Sequence, residues 1–280
     1  MNNFVEINPG CYIRSDFVDC FNKLNLESID AVFEFEKGKN LAKANLASFR
    51  QRIMFETENP KSILFLKRYQ NIPKLTQFKN WLNQRKRISV MACDLEPGIK
   101  LQQAGINTPQ VIAYGERWNG LFEKQSFIIT EKIPNASSLE EKLPEIFFSG
   151  KNQFIKNLAE FVRKFHDTGF RHRDLYLCHI FSDSHGNFTL IDLNRAFKPL
   201  CFSKKYLIKD LAQLYYSSPG DTITKTDRLR FFLYYFQKEK LTKSDRSIVK
   251  KIKLKAERMA KHDKKHNRTA PFEMKQNESR

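Results

Sequence analysis

Hydrophobic spacing divides the chain into two halves of different character. In the first half apolar residues alternate or run in short blocks, the period of strands. Residues 31–36 (AVFEFE) alternate and predict a strand, closed by the turn-like cluster Lys37-Gly38-Lys39-Asn40. Residues 52–57 and 62–69 are strand-like runs separated by Glu58-Asn59-Pro60-Lys61, which is hairpin spacing. A basic segment with Trp81 inside it, residues 74–87, comes next. Residues 94–104 predict a helix with Pro97 in its first turn and Gly105 at its end. Residues 111–114 and the buried-type run 127–131 (FIITE) predict two further strands. Pro134-Asn135-Ala136-Ser137-Ser138 then interrupts the pattern.

Beyond that break the period becomes helical. Ser137 or Ser138, with Glu140 or Glu141, reads as a capping box. Over residues 151–168, Phe154, Leu158, Phe161 and Phe165 recur on one helical face, and Gly169 supplies the stop. The turn Asp183-Ser184-His185-Gly186 precedes a short strand at 187–193 (NFTLIDL). Residues 209–217, 227–237 and 244–264 predict three more helices. The expectation is an α+β chain: a strand-rich N-terminal lobe over 1–133, a helical C-terminal lobe over 134–268, and a disordered tail over 269–280.

Composition sharpens this. With 280 residues, 41% hydrophobic and 13% aromatic, the chain can bury a core without disulfide staples, and wholesale disorder is excluded. The five cysteines are scattered and form no C-x-x-C pair. Residues 1–19 show no basic start followed by an apolar run. The densest apolar run, 231–236, is far short of the roughly 18 residues of a membrane span. A cytoplasmic protein with free thiols is expected. Net charge is +18, and residues 151–280 hold 29 basic against 14 acidic residues. Within them, 240–268 holds 12 against 3. That asymmetry favours an anionic partner, although a charge run can also be merely a solvated face. No zinc-finger, helix-turn-helix or RNP signature accompanies the charge, so nucleic acid is not expected.

The chemistry concentrates in residues 165–197 (FHDTGFRHRDLYLCHIFSDSHGNFTLIDLNRAF). Phosphoryl transfer needs a carboxylate to orient an attacking hydroxyl, a second carboxylate for metal, and a cation on the phosphates. Asp174, in His172-Arg173-Asp174, suits the first role. Asp192 suits the second. Lys67, which follows four apolar residues in a strand-like run, suits the third. No G-x-G-x-x-G precedes it; Gly38 lies upstream, with Lys39 and Lys43 as candidate substitutes in charge. Arg195 reads either as a phosphate contact or as a residue holding Asp192.

Taken together, strand Lys, H-R-D loop and downstream D-L pair resemble the protein-kinase-like superfamily. His-Arg-Asp-Leu-Tyr-Leu-Cys-His at 172–179, Ile-Asp-Leu-Asn-Arg-Ala at 191–196 and the FIITE run resemble, more narrowly, the lipopolysaccharide kinase family of Kdo and core heptose kinases. The resemblance implies a two-lobed kinase-like fold using ATP and Mg²⁺ between the lobes. It implies Asp174 as catalytic base and Asp192 as metal ligand. His179 stands where protein kinases place a metal-binding Asn, and reads equally as a ligand or as a structural histidine. Lys67 would contact nucleotide phosphates and pair with Asp94, or with its rival Glu96. Glu131 falls on the nucleotide side. The acceptor implied is a sugar hydroxyl of the lipopolysaccharide inner core, met at the cytoplasmic face of the inner membrane, with the basic C-terminal helix touching that surface. Alternatives are another acceptor, protein or small molecule, and a pseudokinase that binds glycolipid without phosphotransfer. A second argument is independent of the family: from Asp192 to Asp210, expected at a helix start, the chain is short and contains no Ala-Pro-Glu, which suits a small acceptor better than a peptide.

Overall fold

The computed structural model describes residues 3–41, 47–146 and 150–274; Lys43 and residues 275–280 of the expected tail lie outside them. The chain forms two compact units, Met1–Lys100 with Pro109–Pro134, and Leu101–Thr108 with Asn135–Arg280.

In the first unit one antiparallel sheet is built from β1 (Phe4–Asn8), β2 (Cys11–Arg14), β3 (Lys39–Asn40), β4 (Arg50–Glu58), β5 (Lys61–Gln70), β6 (Val111–Asn119) and β7 (Phe122–Glu131). Its order is β1-β2-β6-β7-β5-β4-β3. Helices α1 (Val18–Lys23), α2 (Ile29–Glu34), α3 (Lys74–Gln84) and α4 (Ala92–Gln103) accompany it. Successive strand residues point to opposite faces, and β5 uses both. Leu64 and Leu66 join the cluster that holds Phe21 of α1 and Ile29 and Val32 of α2. Tyr69 joins the other cluster, with Met91, Leu95 and Ile128. Lys67 therefore shares its face with Tyr69 and stands opposite Ile128 in the ladder.

Three expectations change here. The alternating run 31–36 is not a strand but lies largely in α2. Ser28 caps that helix by accepting from Ala31 N–H at 3.1 Å, and Ile29 and Val32 bury a helical face. Lys39-Asn40, expected as turn, pairs with β4 as β3. Pro97 lies in the middle of α4 because the helix begins at Ala92, whose N–H donates to Ser89 Oγ at 3.2 Å. Lacking an N–H, Pro97 leaves the Cys93 carbonyl without its usual helical donor.

Arg68, on the α2 side of β5, ties that helix down. Its Nη1 donates to the carbonyls of Val32, Phe33 and Phe35 at 2.8, 2.7 and 3.0 Å, and Nε donates to Gln51 at 2.7 Å. These carbonyls belong to the C-terminal end of α2, where helical acceptors lack intrahelical donors and a cation is favoured.

In the second unit, β8 (Ser137–Ser138), β9 (Ile180–Ser182) and β10 (Phe188–Leu190) form a small sheet in the order β10-β9-β8. Around it are α5 (Leu139–Ile146), α6 (Lys151–Asp167), α7 (Ser203–Ser217), α8 (Lys225–Phe236) and α9 (Lys243–Lys264). Leu158, Val162 and Phe165 of α6 share one core with Leu175, Leu177, Leu211, Leu214 and Phe232. Helices α8 and α9 start with capping boxes, Thr224 with Asp227 and Thr242 with Asp245. Helix α7 starts at Ser203, earlier than expected, so Asp210 is interior to it and not at its start. The apolar period that carries it back includes Leu207 and Ile208. Ala270 is buried, and Phe272 in the following 3-10 turn packs its ring 5.5 Å from Tyr215 and 5.9 Å from Tyr216.

Replacing Arg68 by Met strips the donors from the end of α2 and is expected to cost about 3 kcal/mol in urea denaturation. Arg68→Lys should recover only part of that, since one ammonium cannot serve the positions of the guanidinium fork.

Candidate active site

The H-R-D loop follows α6 and is held by the polar stripe of α7. Asp210 is fully buried. Its carboxylate accepts the backbone N–H of His172 at 2.8 Å and of Arg173 at 2.7 Å. Gln213 Oε1 accepts from Leu175 N–H at 3.2 Å, and Ser217 Oγ from Leu177 N–H at 3.0 Å. Residues 210, 213 and 217 recur on one helical face, so a single helix satisfies the main chain of the loop in register. The Arg173 carbonyl accepts from Lys209 Nζ and, at 3.0 Å, from Gln213 Nε2. This clamping supports an unfavourable backbone: Arg173 has φ +69° and Asp192 φ +57°, both left-handed.

Asp174 thereby projects from a fixed main chain. Its carboxylate accepts from Arg195 Nη1 at 3.0 and 2.8 Å, and its Oδ1 lies 3.4 Å from Gln213 Nε2. Arg195 thus engages Asp174, whereas the sequence pointed to phosphate or Asp192. His179 lies beside it. Its Nδ1 is 2.7 Å from the Asp174 carbonyl, which can only accept, so Nδ1 carries the proton. That leaves the Nε2 lone pair available, 3.9 Å from Asp192 Oδ2. A ligating histidine is oriented in this way, by a carbonyl on its other nitrogen. One imidazole and one carboxylate fit a divalent cation that takes its remaining ligands from water and phosphate oxygens. Among the described residues no group of three or more His, Cys, Asp or Glu is placed to hold a metal.

Two buried histidines lie beneath the loop, one of them, His166, with Nε2 3.4 Å from Asp210 Oδ2. His172 donates from Nε2 to the Ile191 carbonyl at 3.0 Å, tying the loop to the segment that carries Asp192. His166 meets the Tyr235 hydroxyl through Nδ1 at 2.8 Å and is a buried residue of α6. Burial holds both imidazoles below the ordinary histidine range.

In the first unit, β5 presents Lys67 and the first turn of α4 presents Asp94, 2.6 Å apart and both largely buried. Glu96 instead pairs with Lys86 at 2.5 Å, with Lys100 at 3.9 Å. The start of α4 is fixed to β7: Val90 N–H donates to Glu123 at 2.8 Å and Met91 N–H to Ser126 at 3.3 Å. Burial raises Glu123 to about 7. Glu131, at the end of β7, accepts from Ser62 Oγ and lies 3.9 Å from Arg14.

Six residues were marked in advance. Lys67 and Asp94 come together in the first unit; Asp174, His179 and Asp192 come together in the second; Glu131 bonds Ser62 and lies 3.9 Å from Arg14. Gln213, Ser217 and Lys209 were not marked, nor was Arg195 as the partner of Asp174. The polar spacing of 210, 213 and 217 on an apolar helix was the available signal for the α7 set.

A sheet whose Lys-bearing strand pairs with an acid at the start of a helix, followed by a helical unit built around an H-R-D loop, defines the protein-kinase-like class. Residues 99–235 match the Lipopolysaccharide kinase (Kdo/WaaP) family. The chain is 30% identical to the lipopolysaccharide core heptose(I) kinase WaaP of Pseudomonas aeruginosa, over 57% of this chain and 65% of that protein. The corresponding WaaP of Escherichia coli K12 is 29% identical over 75% of this chain and 84% of its own length. A 3-deoxy-D-manno-octulosonic acid kinase of Vibrio cholerae is 31% identical over 35% and 40%. The solved structure of WaaP in complex with acyl carrier protein aligns with a TM-score of 0.63 at 25% identity, over 85% of this chain and 95% of that one. Over residues 99–235, just under half of its length, the chain is similar to the lipopolysaccharide kinase family.

Two measurements check the loop. Asp210→Asn replaces one acceptor oxygen by a donor facing an N–H, and should lower stability to urea by about 2 kcal/mol. Histidines held below their unfolded value of about 6.5 make the unfolded chain take up protons first. Stability should therefore be full above about pH 6.5 and decline as pH falls through that value. A urea series from neutral to acid pH reads it, and His166→Asn should flatten the decline.

Proposed function

We propose that the chain transfers the γ-phosphate of ATP to a sugar hydroxyl of the lipopolysaccharide inner core, on heptose or Kdo. The observation that carries this is the convergence of Asp174, His179 and Asp192 on one clamped loop and its neighbouring turn, in a chain similar to this family over residues 99–235. Asp174 orients the acceptor hydroxyl and takes its proton. Arg195 keeps the carboxylate aimed before the acceptor arrives. Lys67, held by Asp94, contacts the nucleotide phosphates, and Glu131 lies on the nucleotide side. His179 and Asp192 would hold Mg²⁺, which would offset charge on the transferred phosphoryl group. The chain passes from Asp192 to the start of α7 at Ser203 without a long peptide-docking segment, which suits a small acceptor.

No helix among the described residues is long and apolar enough to cross a membrane. The acceptor is lipid-linked, so a peripheral approach to the cytoplasmic face of the inner membrane fits. Helix α9 supports it: Ile252, Ala256 and Ala260 are buried against the unit, and lysines cover the outer face.

Labelled ATP with purified core glycolipid tests the reading. Asp174→Ala should reduce phosphate incorporation by about 10²- to 10⁴-fold. A Mg²⁺-dependent thermal shift with ATP should vanish in Asp192→Asn. Equal incorporation by wild type and Asp174→Ala would discard the mechanism.

A further inference from the structure

Helix α9 runs beside the far end of the H-R-D loop, and the two border an open cleft. Tyr176, two residues beyond Asp174, forms one wall. Its ring meets His179 edge-on at 6.3 Å and Tyr216 edge-on at 6.5 Å. Its N–H donates to the Asp174 carbonyl at 2.9 Å, so this wall is continuous with the loop that carries the proposed base. Lys255, Arg258 and His262 line the opposite side, on one face of α9. Asp263, the acidic member of the lining, accepts the Tyr216 hydroxyl hydrogen bond. Among the described residues neither Lys255 nor Arg258 makes an ion pair.

Two aromatic walls and a cationic rim select a ring with an anionic substituent. Aromatic faces are electronegative and attract the polarised C–H groups of a sugar, and an Arg with a Lys pairs with carboxylate or phosphate. We propose that this cleft binds an acidic sugar, carrying a carboxylate or a phosphate, that neighbours the hydroxyl to be phosphorylated. It rests on the reading above in one respect, that the acceptor is a glycan. The 3-deoxy-D-manno-octulosonic acid named for one relative is a sugar of this chemistry. Anchoring the acidic sugar beside Tyr176 would leave a neighbouring hydroxyl near Asp174.

The double variant Lys255→Glu/Arg258→Glu tests it, at positions outside the proposed phosphotransfer machinery and on an outer helix face. Titration calorimetry of the full chain without nucleotide uses deacylated core oligosaccharide as probe. Two further samples have their carboxylates reduced to alcohols or their phosphates removed enzymatically. Wild type should bind the untreated glycan, and the variant about tenfold more weakly or worse. One treated sample should lose affinity for wild type to the same extent, which identifies the anion. Equal binding by wild type and variant overturns the proposal. So does a variant that loses only binding to vesicles of anionic lipid while holding the glycan normally, since the face would then be a membrane surface. Binding is read without ATP, so absence of phosphate transfer would sink the kinase reading and leave this result standing.

Discussion

The H-R-D loop is held in shape by backbone donors that find their acceptors on one helix. Between His172 and Leu177 the chain is neither helix nor strand, and the N–H groups of residues 172, 173, 175 and 177 bond to side chains of α7. An orphaned buried donor costs about 1–3 kcal/mol, so a loop of this shape exists only where acceptors stand in register. Asp210, Gln213 and Ser217 stand there, spaced so that one face of α7 meets four successive demands. The left-handed backbone at Arg173 falls inside this clamped stretch. Its N–H is held by Asp210 and its carbonyl by Lys209 and Gln213, so both ends of the strained residue are fixed to α7.

This support separates position from charge. Asp174 is placed through its main chain, by Lys209 and Gln213 on the preceding carbonyl and by His179 on its own. Its carboxylate is therefore not required for anchoring and faces Arg195 instead. The same carbonyl bond sets the tautomer of His179 and directs Nε2 toward Asp192. The Asp174 carboxylate and the His179–Asp192 pair are thus coupled through one peptide unit, and moving that unit would displace both. Beneath them, His172 joins the loop to Ile191 without bringing a charge into the core, since burial keeps its imidazole neutral.

Much of this was legible in the sequence, but unevenly. The β4–β5 hairpin and the helices α6, α8 and α9 follow directly from apolar period and turn residues. Lys67 was legible from its place in a strand-like run, but its pairing with Asp94, with Glu96 as rival, came from the family resemblance and not from local pattern. The run 31–36 was misread because alternation in a six-residue segment is ambiguous: Ile29 and Val32 bury one helical face just as well, and Ser28 as cap decides it. Pro97 was misplaced because a proline can sit inside a helix when its neighbours are packed, a tertiary effect with no local sign. Arg195 was assigned to the nearer acid along the chain. Its true partner, 21 positions away in sequence, is brought to it by the fold.

Charge distribution raises a last point of physics. A strongly basic segment is usually read as a diffuse field, attractive to any anion and selective for none. In α9 the cations are sorted. Lys238 neutralises Asp245 at the N-terminal end, where a carboxylate caps the helix. Ala256 and Ala260 let the helix approach closely enough for Tyr216 to bond Asp263, whose carboxylate keeps its charge and lies 3.6 Å from His262 Nδ1. What faces Tyr176 is an edge with Lys255 and Arg258 as its cations and one acid, bonded to Tyr216. A diffuse field brings an anionic glycolipid to the protein, whereas a cleft so arranged gives it a defined orientation. The small residues that permit the close helix approach are therefore as much a part of recognition as the lysines themselves.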